Sequence, residues 1–137
     1  MSTLINDFKY LHQIPEESFK EFKTHKYIMD ELSKLECMIF ELKPTGIIAF
    51  FNFNHPETIA FRCELDGLPI IEKTNLLHKS THEGFMHACG HDGHMAILIN
   101  FAREIKDIKC KKSNIMFIIK DANIQQNKRT TVYTNLI

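Results

Sequence analysis

The stretch Phe85-Met86-His87-Ala88-Cys89-Gly90-His91-Asp92-Gly93-His94 decides how the rest of the chain is read. Three histidines and one cysteine fall between His87 and His94, and a glycine stands on either side of His91-Asp92. A short way upstream, Glu64-Leu65-Asp66-Gly67-Leu68-Pro69 closes an apolar run. Thiolate, imidazole and carboxylate groups in one neighbourhood are the donor set of a zinc or manganese site. A histidine-rich polar turn without a metal is the competing reading, and for any one of these histidines taken singly it is the better one. The cluster together with its carboxylates favours the metal.

The flanking sequence places both islands in an α/β fold. Ile59 to Leu65 is apolar on both faces, as expected of a buried strand in a largely parallel sheet. A long loop follows from Ile70 to about His87, and loops of that length in a compact domain are often functional. From His91 to Ile105 the stripe Met95, Leu98, Ile99 and Ala102 predicts a helix, and Ile115 to Ile119 predicts the next strand. Strand, loop, helix and strand make a βαβ unit, which should cross over right-handed. Ligands of such sheets gather beyond the C-terminal ends of strands and at helix N-termini, where Asp66, Cys89 and His91 all fall.

Nearer the N-terminus, Leu4, Phe8 and Leu11 recur at helical spacing, with Ser2 or Thr3 as the cap. Pro15 breaks that helix, and Ser18-Phe19-Lys20-Glu21 has the form of a capping box for a second one running to about Leu35. His25, within it, reads as a partly exposed surface residue. Met38 to Leu42 and Ile47 to Phe53 read as strands joined by a turn at Pro44-Thr45-Gly46. Lys120 to Ile137 is rich in Asn, Gln and Thr and reads as a polar tail, with one weak strand signal at Thr131 to Tyr133.

The 137 residues amount to one ordinary domain, and 44% of them are hydrophobic, enough for a packed core. Lys plus Arg and Asp plus Glu number 17 each, so no basic excess points to nucleic acid or an anionic membrane. No apolar run approaches a membrane span. With no export signal at the N-terminus, Cys37, Cys63, Cys89 and Cys110 read as reduced thiols of a cytoplasmic protein.

At a metal centre here, the ion would polarise a carbonyl and acidify a water, and a carboxylate would take the proton and return it to a leaving amine. Cys89 and His91 are the candidate ligands. Asp66 could ligate or orient a ligating histidine. Glu64 could belong to the site or pair with Arg62.

Four ordered motifs resemble a known family of metal-dependent amidohydrolases and metallopeptidases, which includes aminoacylases, hippurate hydrolases and auxin-conjugate hydrolases. His12-Gln-Ile-Pro-Glu-Glu-Ser-Phe-Lys-Glu-Phe22 is similar to its N-terminal helix junction, and Thr45-Gly46-Ile47 to its Thr-Gly strand entry. Phe61-Arg-Cys-Glu-Leu-Asp-Gly-Leu-Pro-Ile70 resembles its Arg-x-(Asp/Glu)-x-Asp-Ala-Leu-Pro motif. Met86 to His94 matches its His-x-Cys-Gly-His-Asp-Gly-His signature. The resemblance covers about residues 4 to 119. It implies a zinc-peptidase-like catalytic domain with two divalent ions, zinc or manganese, and hydrolysis of an N-acyl amino acid or short peptide by activated water. It also implies that Cys89 and His91 are metal ligands and that Asp66 supports them; His87, Asp92 and His94 lie in the signature without an assigned role.

The sequence also departs from that pattern. After the fourth strand the family carries Gln-Pro-Ala-Glu-Glu, which supplies the general base and a metal ligand. Here Ile119 runs into Lys-Asp-Ala-Asn-Ile-Gln-Gln, no glutamate follows Glu104, and Asp121 is the only carboxylate near the missing base. Residues 1–119 are therefore expected to be the N-terminal part of the catalytic domain and 120–137 a divergent tail of the kind a frameshift would leave. The small domain through which the family dimerises is not among them. The expectation is a truncated, inactive hydrolase chain; the alternatives are a non-catalytic metal- or partner-binding module and a redox-sensitive thiol protein. A sheet edge and a helix face should stand uncovered and promote association.

Overall fold

Helix α1, Leu4–His12, begins where the spacing of Leu4, Phe8 and Leu11 places it, in a computed structural model that describes residues 3–108 and 112–120. Thr3 caps it, its hydroxyl accepting from the N–H of Asn6 at 3.4 Å. Helix α2, Phe22–Leu32, buries Thr24, Ile28 and Leu32, one residue per turn along a single face. Its cap is not the expected one. The helix starts four residues after Ser18, with Glu21 at the N-cap position, and the carboxylate of Glu16 accepts from the N–H groups of Lys23 and Thr24 at 3.1 and 2.9 Å. Glu21 is drawn elsewhere, since its carboxylate accepts from the Thr45 hydroxyl at 2.5 Å. A reach across the turn from Glu16 outcompetes the local pattern because it satisfies two open N–H groups at once.

Four strands follow: β1 Met38–Leu42, β2 Gly46–Phe51, β3 Thr58–Glu64 and β4 Asn114–Lys120, with helix α3, His91–Glu104, between the last two. A single 3-10 turn, Ile105–Asp107, extends α3. The sheet order is β1-β2-β4-β3; β1 and β2 pair antiparallel, as do β2 and β4, while β3 and β4 run parallel. The sheet is thus mixed, with helices packed on one face, and β3-α3-β4 forms the parallel unit read from the sequence.

The core lies between that face and the helices. Ile47, Ala49 and Phe51 of β2 and Phe117 and Ile119 of β4 meet Leu11, Ile28, Leu32, Met95, Ile99 and Ala102. Burying one such large side chain contributes about 1.5–3 kcal/mol. Gly93 inside the first turn of α3 costs only about 1 kcal/mol relative to alanine. Packing, and not propensity, therefore holds α3 in place.

One expectation fails here. The sequence of β3 reads as a buried strand, yet the strand lies at the sheet edge, with Ile59 50% exposed and only Cys63 fully buried. The cause is the order of pairing: β4 inserts between β2 and β3, so the strand with the most continuous burial is β2. The opposite face of the sheet is apolar and open as well, with Met38, Phe40 and Leu42 exposed. None of the described helices is long and apolar enough to cross a membrane. Cys37, Cys63 and Cys89 are free thiols. Cys110, Asp121 and the strand signal at Thr131 to Tyr133 lie outside the described residues.

Candidate metal centre

β3 delivers the first half of the site. Beyond its last residue, Leu65 donates its N–H to the Lys120 carbonyl at 3.1 Å, and the chain then leaves the sheet at Asp66. The second half is the start of α3. Gly90 takes φ 76°, in the left-handed region that glycine adopts without strain, and reverses the chain between Cys89 and His91. Nδ1 of His91 comes within 2.9 Å of the carbonyl oxygen of Asp66, 25 positions away in sequence. A carbonyl only accepts, so Nδ1 carries the hydrogen, and in the neutral ring Nε2 keeps its lone pair. The same nitrogen stands 3.2 Å from Oδ1 of Asp66, but its N–H is spent on the carbonyl, and Oδ1 is buried with no hydrogen-bond partner.

The remaining signature residues separate by environment. Cys89 is exposed at the helix entrance. His87 is 4% exposed, and neither of its ring nitrogens has a hydrogen-bond partner. Burial pushes its pKa down to about 4, against the pull of the Asp92 and Asp66 charges. His94 is exposed, its ring 6.2 Å from that of His91. Glu64 forms an ion pair with Arg62 at 2.8 Å, which accounts for it without a ligand.

Asp92 turns inward. Its Oδ1 accepts from the N–H of Gly93 at 2.9 Å, and its Oδ2 lies 2.6 Å from Nδ1 of His12. The other nitrogen of His12 lies 3.3 Å from Oε1 of Glu72. Burial opposes a charge on His12, but the hydrogen bonds with Asp92 and Glu72 outweigh it and raise its pKa. Glu72 is held ionised by the opposite balance: burial raises its pKa, while hydrogen bonds from Ser80, Thr74 and His12 lower it further. Neither His12 nor Glu72 stands out in the sequence, because no local pattern reports a partner 80 or 60 positions away. The one available signal is the motif containing His12.

The long loop is stitched down rather than free. Thr81 donates to the Gln13 carbonyl at 2.8 Å, His82 Nδ1 donates to the Pro15 carbonyl at 2.8 Å, and Leu68 pairs with Met86. Gly67 donates to the Glu16 carbonyl at 2.8 Å, and a Cβ on it would lie 2.6 Å from Cβ of Pro15. The junction around Pro15 is thus the floor on which the Asp66 turn and the loop both rest.

Among the described residues, no group of three or more His, Cys, Asp and Glu side chains is arranged to hold a metal ion. Two observations nonetheless fit a divalent metal. The tautomer of His91 leaves a lone pair on Nε2, and the buried Asp66 Oδ1 and His87 nitrogens lack protein partners. The residues present fit part of such a centre, not the whole of it.

Known proteins resemble this chain over most of its length. Residues 60–122, which hold both halves of the site, match the model of peptidase family M20/M25/M40. The chain is 42% identical over 126 residues to an N-acetyldiaminopimelate deacetylase of Listeria monocytogenes serotype 4a, covering 87% of this chain and 34% of that protein. It is 49% identical over 98 residues to the protein of that name from Anoxybacillus flavithermus, covering 69% and 26%. Among solved structures, an aminohydrolase of methicillin-resistant Staphylococcus aureus superposes with a TM-score of 0.84 at 33% identity, over 92% of this chain and 34% of its own. A Bacillus subtilis protein described as a dinuclear metal binding peptidase of the M20 family does so with a TM-score of 0.80 at 38% identity, over 87% and 34%. The chain spans between about a quarter and a third of the length of these relatives. With the motifs, the mixed sheet and the matched residues in agreement, the chain belongs to the M20 family of metal-dependent amidohydrolases and peptidases.

Proposed function

We propose that this chain supplies part of the metal centre of an amidohydrolase that cleaves the amide bond of an N-acyl amino acid, the substrate class to which N-acetyldiaminopimelate belongs. The observation that carries the reading is the contact between His91 Nδ1 and the Asp66 carbonyl just beyond the C-terminal end of β3, which leaves Nε2 as the nitrogen open to a ligand. Cys89 and His91 would hold a zinc or manganese ion, and Asp66, with its unpartnered Oδ1, would support them. When bound, such an ion supplies Lewis acidity toward the amide carbonyl. The protein's own contribution is to fix the His91 tautomer and to keep Asp66 and His87 away from water.

These 137 residues hold no glutamate after Glu104, and the general base of the resembled family is a glutamate. On this reading the 137 residues contribute metal ligands and not the general base. A chimera tests the proposal: residues 1–120 replace the matching segment of the Listeria relative, and release of acetate from N-acetyldiaminopimelate is measured. The expected result is activity that Cys89→Ala abolishes. A folded chimera with no activity refutes the assignment. A second reading, a metal-binding module without chemistry, is favoured by the missing glutamates, and an active chimera would exclude it.

A further inference from the structure

His12 lies at the end of α1, far in sequence from the signature, and is 6% exposed. Each of its ring nitrogens faces a carboxylate: Nδ1 is 2.6 Å from Asp92 Oδ2, and Nε2 is 3.3 Å from Glu72 Oε1. Both carboxylate side chains are 2% exposed. An ionised carboxylate only accepts, so between two ionised carboxylates the ring donates from both nitrogens as a cation. A neutral ring could donate to only one of the two.

The outer oxygens of both carboxylates are also engaged. Asp92 Oδ1 takes the N–H of Gly93, in the first turn of α3. Glu72 Oε2 takes the N–H of Ser80 at 2.6 Å, and the Thr74 hydroxyl donates to its Oε1. One imidazolium thereby ties together the end of α1, the long loop and the residue that follows His91. The Asp66 contact orients the ring of His91, whereas the clamp ties the first turn of α3 to the end of α1.

We infer that His12 is a positioning residue, whose ring, clamped between Asp92 and Glu72, fixes the entrance of α3 and so the aim of Cys89 and His91 at a divalent metal. The inference rests on the reading of Cys89 and His91 as ligands. Buried partners of this kind hold a ligand-bearing segment in one orientation before the ion arrives, and removing one typically weakens metal binding about ten- to a hundredfold.

The test is a cobalt(II) titration of the 137-residue chain, followed by the near-ultraviolet band that a cysteine thiolate gives on binding cobalt. The expected result is a band in the unsubstituted protein and at least a roughly tenfold weaker binding curve for His12→Gln, with the band displaced. Ile28→Val, a core change remote from the clamp, should lower the melting temperature and leave the cobalt curve in place, which separates positioning from general loosening. Should His12→Gln fail to fold, Asp92→Asn carries the same expectation, and an unshifted curve for it overturns the inference equally. No band in the unsubstituted protein overturns the ligand reading and the inference with it. A normal band with an unshifted curve for the folded variant overturns the inference alone.

Discussion

Nδ1 of His91 sits 2.9 Å from the main-chain carbonyl of Asp66, so a candidate metal ligand is oriented by backbone and not by a carboxylate. The two kinds of partner respond differently to substitution. Asp66→Asn keeps the carbonyl and should cost no more than about tenfold in zinc affinity, whereas His91→Ala should remove binding altogether. Calorimetric titration with zinc distinguishes them; equal losses would mean that the Asp66 side chain is the working partner.

Asp7 of α1 accepts a bidentate contact from Arg103 of α3, at 2.5 and 3.1 Å, while Arg103 also reaches Glu31 of α2 at 2.8 Å. The Tyr27 hydroxyl adds a hydrogen bond to Asp7 at 2.6 Å, and with burial this lifts the phenol pKa well above its ordinary value. Asp7 is completely buried. Arg103→Ala leaves that carboxylate without its cation and should destabilise the chain by about 3–5 kcal/mol. Urea unfolding reads this directly, and a loss below about 1 kcal/mol would show the network to be solvent-screened.

The charge on His12 sets a pH dependence. The ring is faced by Asp92 from α3 and by Glu72, His78 and His87 from the loop and signature. Its pKa is raised, so the stabilisation it confers is complete below the ordinary histidine value of about 6.5 and is lost as pH rises through the folded value. The stability gap between the unsubstituted chain and His12→Gln should therefore be widest near about pH 6 and narrow toward alkaline pH. Urea midpoints across that range check the sign, and a gap that widens with pH would contradict it.

Gly67 is required by space. With a Cβ placed 2.6 Å from Cβ of Pro15, Gly67→Ala forces the Asp66 turn away from its floor. A destabilisation of about 1–3 kcal/mol is expected, as for other overpacked sites. Thermal unfolding measures it, and an unchanged midpoint would show that the turn yields without cost.

The open apolar surfaces predict self-association. Phe40, 49% exposed, stands opposite Ile48 on the uncovered sheet face, and Ile59 marks the free edge of β3. Exposed edges and apolar faces recruit other chains. Sedimentation should show association that rises with concentration and is reduced by Phe40→Lys with Ile59→Lys. A monomer at all concentrations would refute this.

The element types and their places along the chain are legible in the sequence because they follow from local periodicity. Leu4, Phe8 and Leu11 mark α1, and Met95, Leu98, Ile99 and Ala102 mark α3. Asp66, Cys89 and His91 are legible as neighbours because a strand end and a helix start meet in any βαβ unit. The sequence by itself therefore determined an α/β chain with a metal-type signature at the end of β3. Tertiary structure alone decided the rest: that β4 enters between β2 and β3 and leaves β3 at the edge, that Glu16 and not Ser18 caps α2, and that His12 is held between Asp92 and Glu72. Each of these depends on which surfaces meet across the fold, and no window of neighbouring residues carries that information.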